Sequence, residues 1–359
     1  MHRTSRIALV LGGGNALGAY HAGAYEHLHQ NGIRPDWIVG ASIGAVMGAI
    51  LAGNAPEERL DKLNQFWAEF MVHTSGSLSI TEKGRQIYNG VHAALTMMYA
   101  RPSIFRHRLP GPWSMLPGVP NDIALFDHGP LRRTLERLVD FNRLNAGEVR
   151  FLVATVDIQT GEEVYFDNTR DVIRPEHILA SAAIPPAFPP VEIDGRLLCD
   201  AGYTNNLPLD PPFRDPVAED LTCIAVELFS LQAPRPASLD AVVERAHDLI
   251  FASAGRRTIE ALEREYELRE RLEPHGPRVR LVHLAYQAAG HELAAKTFDY
   301  SPSSIRDRWA AGARDMASGL ALLEAPEADG RRFKHLAVDP VVAAAAAETG
   351  ARGSAAIRF

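Results

Sequence analysis

Residues 36–52 read DWIVGASIGAVMGAILA, and this stretch decides the fold. Its apolar start predicts a short buried strand, and its alanine-rich end predicts a helix. Between them Gly40, Ser42 and Gly44 form Gly-x-Ser-x-Gly, which is typical of a sharp strand-to-helix turn carrying a nucleophilic serine. The N–H groups of that turn would lie near the positive end of the helix. Taken alone, the motif is also compatible with an ordinary glycine-rich turn.

A second glycine-rich turn precedes this one. Residues 7–11 read IALVL and predict a buried first strand, and residues 12–18, GGGNALG, lead into a helix. A strand, a glycine loop and a helix N-terminus together suit an anion, which could be a nucleotide phosphate or the oxyanion of a tetrahedral intermediate. Because no Gly-Lys-Ser/Thr follows and Asn15 interrupts Gly-x-Gly-x-x-Gly, the pattern favours an oxyanion hole.

The first 52 residues thus predict strand, loop, helix, strand, turn and helix, which is the start of a parallel sheet. Further patterns predict strands at 151–156 and 222–229, a hairpin at 191–199, a long helix at 239–272 and a last strand at 279–284. We therefore predict an α/β protein with three α/β/α layers and a mostly parallel central sheet.

The composition argues against several classes of function. The 359 residues carry a net charge of −7, which gives no electrostatic reason to bind nucleic acid. Cys199 and Cys223 form no Cys-x-x-Cys pair, and no Cys/His cluster has zinc spacing, so we expect no disulfide framework, metal or other cofactor. No run of 18 apolar residues predicts a membrane span, so we expect a cytoplasmic protein.

A serine nucleophile needs a base, and two arrangements fit the order of the chain. A triad would recruit a late histidine, His247, His283 or His291, but none lies in a loop after a strand with turn residues around it. A dyad would use Asp200, on which a predicted strand ends and after which small residues allow close approach of the serine turn. Alternatively, Asp200 is a turn aspartate that accepts the N–H of Gly202.

Residues 91–120 form an apolar segment broken by prolines. Its large apolar residues are Leu95, Met97, Met98, Trp113, Met115 and Leu116. The segment is either a flap in peripheral contact with a lipid membrane or a loop packed on the core, and the sequence favours neither.

Three motifs in order make the chain resemble the patatin-like phospholipase family. These motifs are the glycine loop ending at Gly18, the Gly-x-Ser-x-Gly turn, and an Asp-Gly-Gly/Ala motif, here residues 200–202. The resemblance covers roughly residues 5–230, and the segment 298–309 resembles a bacterial branch with a C-terminal extension. It implies a patatin-like catalytic domain over 1–285 and a helical extension with a frayed tail over 286–359.

The resemblance also implies a mechanism. Ser42 would attack a carboxylic ester of phospholipid or lysophospholipid type, and Asp200 would take the serine proton. The N–H groups of Gly13, Gly14 and Asn15 would stabilise the oxyanion, and water would cleave the acyl-enzyme. An acyltransferase on the same fold and a catalytically weak lipid-binding protein remain alternatives. The sequence does not show which oligomeric state the protein has.

The chain departs from the family pattern at three positions. Leu17 stands where the family usually has Arg or Lys, Asn15 where a third glycine is common, and Ala201 in place of the first glycine after the aspartate. The N–H donors belong to the backbone and are therefore retained despite these changes. The positive charge that Arg or Lys would bring to the loop is missing, so the sequence leaves the preferred lipid headgroup open.

Overall fold

The computed structural model describes residues 5–70, 81–214, 219–273, 275–325 and 331–338. The strands are β1 Ser5–Leu11, β2 Trp37–Ala41, β3 Arg106–His107, β4 Phe126–Asp127, β5 Arg150–Asp157, β6 Glu163–Asp167, β7 Val191–Ile193, β8 Arg196–Asp200, β9 Asp220–Glu227, β10 Val279–Ala285 and β11 Phe333–Ala337. The helices are α1 Ala19–Gln30, α2 Ile43–Ala52, α3 Arg59–Ala68, α4 Glu82–Tyr99, α5 Gly129–Leu138, α6 Phe141–Asn145, α7 Pro175–Ser181, α8 Gly202–Asn205, α9 Asp210–Arg214, α10 Leu239–Leu272 and α11 Pro302–Glu324.

Among the described residues, nine strands form one sheet in the order β11-β10-β9-β1-β2-β5-β8-β7, with β6 also paired to β5. The strands from β11 to β5 run parallel, and β6, β7 and β8 form an antiparallel edge. Helices cover both faces, so the predicted three-layer α/β/α fold with a mostly parallel sheet is confirmed. Within the same residues, no helix is long and apolar enough to cross a membrane.

The prediction that β10 is the last strand was wrong. β11 pairs in parallel with β10 and extends the sheet by one more strand. Its five residues, FKHLA, alternate too briefly to be distinguished from a loop, and as an edge strand it is only partly buried.

Helix α11 packs closely across α1, although the two lie almost 300 residues apart in sequence. A methyl group on Gly23 of α1 would come within 1.8 Å of the Trp309 carbonyl oxygen, and one on Gly312 within 2.0 Å of the Tyr20 carbonyl oxygen. Glycine at both positions therefore lets the two backbones touch. The division of the chain at residue 285 stays a prediction, and the predicted tail beyond residue 338 lies outside the described residues.

The register of the sheet brings the three motifs to one edge. Leu11 of β1 lies beside Gly40 of β2, so the glycine loop and the serine turn emerge together. Ala41 of β2 lies beside Ala154 of β5, and Asp200 pairs with Thr155, the next residue of β5. Ser42 and Asp200 thus reach the same level of the sheet, where open α/β sheets usually place their ligands.

Candidate active site

The serine turn is a strained backbone held by close contacts. Ser42 has φ 56° and ψ −125°, which a residue with a side chain rarely adopts. A methyl group on Gly40 would lie 2.4 Å from the Gly44 carbonyl oxygen, and one on Gly44 would lie 2.1 Å from the Leu11 carbonyl oxygen. Glycine is therefore required on both sides of Ser42, which is why the motif has its spacing.

Ser181 fixes this turn from behind. The Ser42 N–H donates to the Ser181 hydroxyl oxygen at 2.9 Å, and that hydroxyl donates to the Ala154 carbonyl at 2.7 Å. Ser181 is fully buried at the end of α7, so its hydroxyl joins the serine turn to β5. No role was predicted for Ser181 from the sequence, although a serine directly after the apolar residues 178–180 was a usable signal.

Asp200 lies beside Ser42 and is almost completely buried. Its Oδ1 accepts the Gly202 N–H at 2.7 Å, whereas no hydrogen bond of ordinary geometry reaches its Oδ2 from the described residues. Burial raises the pKa of this carboxyl to about 6, and the Ser42 hydroxyl and the Gly202 N–H oppose that rise. The Ser42 hydroxyl is thus close enough to the carboxylate to stabilise it, although the contact falls outside the geometry of an ordinary hydrogen bond.

Asn206 joins the glycine loop to the segment that follows Asp200. Its carbonyl accepts the Gly13 N–H at 3.1 Å, and its side-chain amide donates to the Gly13 carbonyl at 3.2 Å. A methyl group on Gly13 would lie 2.4 Å from Asn206 Oδ1 and 3.1 Å from Ser42 Cβ. Because the Gly13 N–H is already engaged, Gly13 contributes close packing here. No role was predicted for Asn206 from the sequence.

The next two N–H groups of the loop are differently placed. Gly14 and Asn15 line the same cavity as Ser42, and their N–H groups have no acceptor among the residues described. Asn15 has φ 52°, in the left-handed region that asparagine tolerates better than most residues. Gly18 lies behind the loop, where a methyl group would come within 2.4 Å of Ile43.

Ser42 and Asp200 open onto a cavity of about 550 Å³. Apolar side chains that line it include Val46, Phe66, Met97, Ile104, Leu125, Phe126, Leu131, Ile184, Phe188, Phe229 and Phe251. This volume and lining match those of sites that hold a mostly apolar small molecule. The described residues contain no group of three or more His, Cys, Asp or Glu side chains arranged to hold a metal ion.

Histidines do approach the cavity. His107, His128 and His247 line it, but no histidine among the described residues hydrogen-bonds to Ser42 or Asp200. Burial lowers the pKa of His128 to about 4, so it is neutral at pH 7. His283 instead lies 2.9 Å from Glu227, outside the cavity lining.

Comparison with known proteins agrees with these observations. A family model described as patatin-like phospholipase matches residues 9–213, more than half of the chain. The chain belongs to the patatin-like phospholipase family. A second family model, described as patatin phospholipase, matches residues 251–331, so α11 and the segment before it also have counterparts in this family.

Several curated patatin-like proteins are similar to parts of the chain. The patatin-like phospholipase domain-containing protein 6 of Mus musculus is 27% identical over 205 residues, which are 57% of this chain and 12% of that protein. An uncharacterized NTE family protein of Mycobacterium tuberculosis is 31% identical over 229 residues, 64% of this chain and 50% of that protein. The chain therefore spans half or less of the length of these relatives.

Among solved structures, VipD from Legionella pneumophila is similar at a TM-score of 0.38 and 15% identity. The similarity covers 86% of this chain and 67% of VipD. The type III effector ExoU is similar at a TM-score of 0.39 and 14% identity, over 90% of this chain and 54% of that one.

The raised pKa of Asp200 predicts an effect on stability. The carboxyl has a pKa of 3.8 in the unfolded chain and about 6 in the folded protein. The free energy of unfolding therefore falls as pH rises, by about 3 kcal/mol once the carboxyl is ionised in both states. Asp200→Asn keeps the acceptor for Gly202 and removes this penalty. The variant should melt at a higher temperature than wild type at pH 8, and the difference should shrink towards pH 4.

Thermal unfolding from pH 4 to pH 8 measures this difference. Asp61→Asn, at an exposed position, is the matched control for removing one charge. An Asp200→Asn protein no more stable than wild type at pH 8 would contradict the burial argument.

Proposed function

We propose that this protein is a lipid acyl hydrolase that cleaves carboxylic esters through a Ser42–Asp200 dyad and an acyl-enzyme. The observation that carries the proposal is the position of Asp200. Its Oδ2, which has no hydrogen bond of ordinary geometry, is a proton acceptor beside the serine, in an apolar cavity that Gly14 and Asn15 also line with N–H groups that no described residue accepts. Among the described residues, no histidine bonded to this pair offers an alternative base.

In the first half of the reaction, Ser42 Oγ attacks the ester carbonyl carbon and its proton passes to Asp200 Oδ2. The negative charge on the carbonyl oxygen is stabilised by the N–H groups of Gly14 and Asn15. The C–O bond to the alcohol then breaks, and Asp200 returns the proton to the departing alkoxide. The product left on the enzyme is the Ser42 acyl ester.

In the second half, water attacks the acyl ester while Asp200 accepts its proton. The oxyanion forms again at the same N–H groups, and collapse releases the carboxylic acid and returns the proton to Ser42. The loop N–H of Gly13, which the family resemblance includes among the donors, is excluded from this scheme because it is bonded to Asn206.

The cavity supports an acyl chain as the group next to the serine. Its lining is mostly apolar. Among the described residues that line it, the one Lys or Arg side chain is Lys296, which is already paired with Glu244 at 2.9 Å and Asp248 at 2.8 Å. We therefore assign the cavity to the fatty acyl chain of a phospholipid or lysophospholipid and place the headgroup towards the mouth.

Ser42→Ala tests the nucleophile. Loss of the hydroxyl should abolish fatty acid release from a panel of phospholipids and lysophospholipids by several orders of magnitude, because no covalent intermediate can form. It should also abolish labelling by a fluorophosphonate probe, while the far-UV spectrum and melting temperature stay close to those of wild type.

Ser181→Ala is a useful comparison, because it removes a buried serine hydroxyl that supports the turn but is not attacked. It should retain part of the labelling. Substantial ester hydrolysis by folded Ser42→Ala would refute the nucleophile, and labelling of wild type without fatty acid release would favour the acyltransferase alternative.

We also infer that residues 91–120 contact a lipid membrane. The outward face of α4 is apolar and exposed at Val91, Leu95 and Met98, and the following loop exposes Trp113 and Met115. Met97 and Pro112 of the same segment line the cavity, so its apolar surface continues towards the catalytic serine. An exposed apolar surface of this kind marks an interaction site, and a lipid substrate would enter through it.

A double variant tests the membrane contact. Trp113→Ala with Leu116→Ala should weaken binding to vesicles of zwitterionic phospholipid and slow hydrolysis in them, because apolar area leaves the interface. Hydrolysis of a soluble short-chain ester should be preserved. Leu268→Ala with Leu272→Ala, an exposed apolar pair near the far end of α10, is the control. Equal losses on both substrates would show that the loop packs on the core instead.

A further inference from the structure

The glycine loop is contacted by residues from the C-terminal part of the chain. The Tyr300 hydroxyl donates a hydrogen bond to the Asn15 side-chain oxygen, and Arg308 Nη1 donates to the Ala16 carbonyl at 3.3 Å. Asn15 and Ala16 directly follow Gly14 in the loop that faces Ser42. Side chains almost 300 residues away therefore contact the loop that carries the two N–H donors.

Tyr300 is held firmly enough to position its partner. It is fully buried, and its ring lies 4.8 Å from that of Phe70 and 6.5 Å from that of Trp67. Burial raises the pKa of its hydroxyl, so the group stays protonated and remains a donor. The preceding residue is also fixed, because the Asp299 carboxylate accepts the Ser301 N–H at 2.9 Å and the Ser304 hydroxyl at 2.6 Å.

Arg308 joins the turn that carries Tyr300 to the loop. Its buried guanidinium lies 2.9 Å from Glu292 and donates to the Asp299 carbonyl at 2.8 Å, in addition to the Ala16 carbonyl. Glu292 Oε1, which accepts from Arg308 Nε, also accepts the Tyr286 hydroxyl at 2.8 Å, so one carboxylate oxygen receives both donors. These buried hydrogen bonds restrain the turn that carries Tyr300.

Asn15 is the residue through which this support acts. Its backbone is left-handed, with φ 52°, and a glycine would adopt the same conformation without a side chain to hold. The asparagine side chain adds an acceptor that the Tyr300 hydroxyl fills. The peptide that joins Gly14 to Asn15 carries the Asn15 N–H and is attached to the same Cα as the bonded side chain, so holding that side chain restrains this donor and the adjoining loop.

We propose that Tyr300 is a positioning residue that holds Asn15, and with it the oxyanion donors, in the geometry required for the transition state. The C-terminal segment thereby becomes part of the catalytic apparatus. This proposal rests on the hydrolase function proposed above. It also gives a physical reason for asparagine where a glycine is common in the family: an asparagine at this position can be held by Tyr300.

Tyr300→Phe keeps the ring and removes only the hydroxyl. With a soluble short-chain ester, kcat should fall about tenfold while KM changes less than about twofold, since a small misplacement of donors affects the transition state most. The inhibition constant of a trifluoromethyl ketone with the same acyl chain should rise by about the same factor as kcat falls, because its adduct carries an oxyanion. That of the free fatty acid should not change.

Tyr20→Phe is the matched control. Tyr20 is also fully buried, and its hydroxyl donates to Asp315 of α11 at 2.6 Å and not to a residue of the glycine loop. The Tyr20→Phe variant should have a lower melting temperature, but its kcat should not fall selectively while KM stays the same. An equal loss of kcat in Tyr20→Phe would show that Tyr300 acts only through stability and would overturn the proposal.

Asn15→Gly completes the test. In that background the acceptor is gone, so Tyr300→Phe should change kcat less than about twofold. A tenfold effect that persists there would overturn the proposed route through Asn15.

Backbone hydrogen exchange of residues 12–18 provides a readout that does not require activity. Exchange there should be faster in Tyr300→Phe and unchanged in Tyr20→Phe at equal global stability. Unchanged exchange in Tyr300→Phe would contradict the positioning role. If wild type neither hydrolyses esters nor binds the ketone, the hydrolase function fails, and the exchange result still decides whether Tyr300 holds the loop.

Discussion

The site depends on a carboxylate that is excluded from water beside a serine. Asp200 has one oxygen bonded to the Gly202 N–H and the other unpaired, and burial raises its pKa to about 6. A buried charge without an ionic partner costs stability, so the surrounding structure must hold it in place. Small residues at Ala41, Ala154 and Ala201 pack together at this point and let the turn after Asp200 lie against β2 and β5. The tight glycine contacts around Ser42 then place the hydroxyl next to the acid.

Local features of the sequence predicted the parts of the site that are local in the chain. A strand followed by Gly-x-Ser-x-Gly and a helix has few conformations available, so the sharp turn at Gly40, Ser42 and Gly44 could be predicted from spacing, whereas a nucleophilic role for Ser42 also needed the other two motifs. The parallel sheet followed from buried apolar runs, and Asp200 followed from a strand that ends before small residues. The family resemblance contributed the order of the three motifs and the oxyanion role of the loop.

The parts that the sequence did not predict are contacts between distant residues. Three hydrogen bonds join residues far apart in sequence: Ser181 with Ser42, 139 positions apart, Asn206 with Gly13, 193 apart, and Tyr300 with Asn15, 285 apart. No periodicity links such pairs, and each is a common polar residue when considered alone. A glycine pattern shows where two backbone segments must come close, but it does not show which N–H group already has an acceptor. The hydrogen bond from the Gly13 N–H to the Asn206 carbonyl could therefore be seen only in the structure.

The central claim is that Asp200, and no histidine, is the base. Measuring kcat/KM between pH 4.5 and 8 with a soluble ester, for wild type and for His247→Gln at the cavity wall, tests it most directly. A base must be ionised, so kcat/KM of the wild type should rise with pH through one apparent pKa of about 6. This rising part of the pH profile should be unchanged in His247→Gln. A histidine variant that shifts or abolishes this limb, or that loses activity as completely as Ser42→Ala while still folded, would contradict the account.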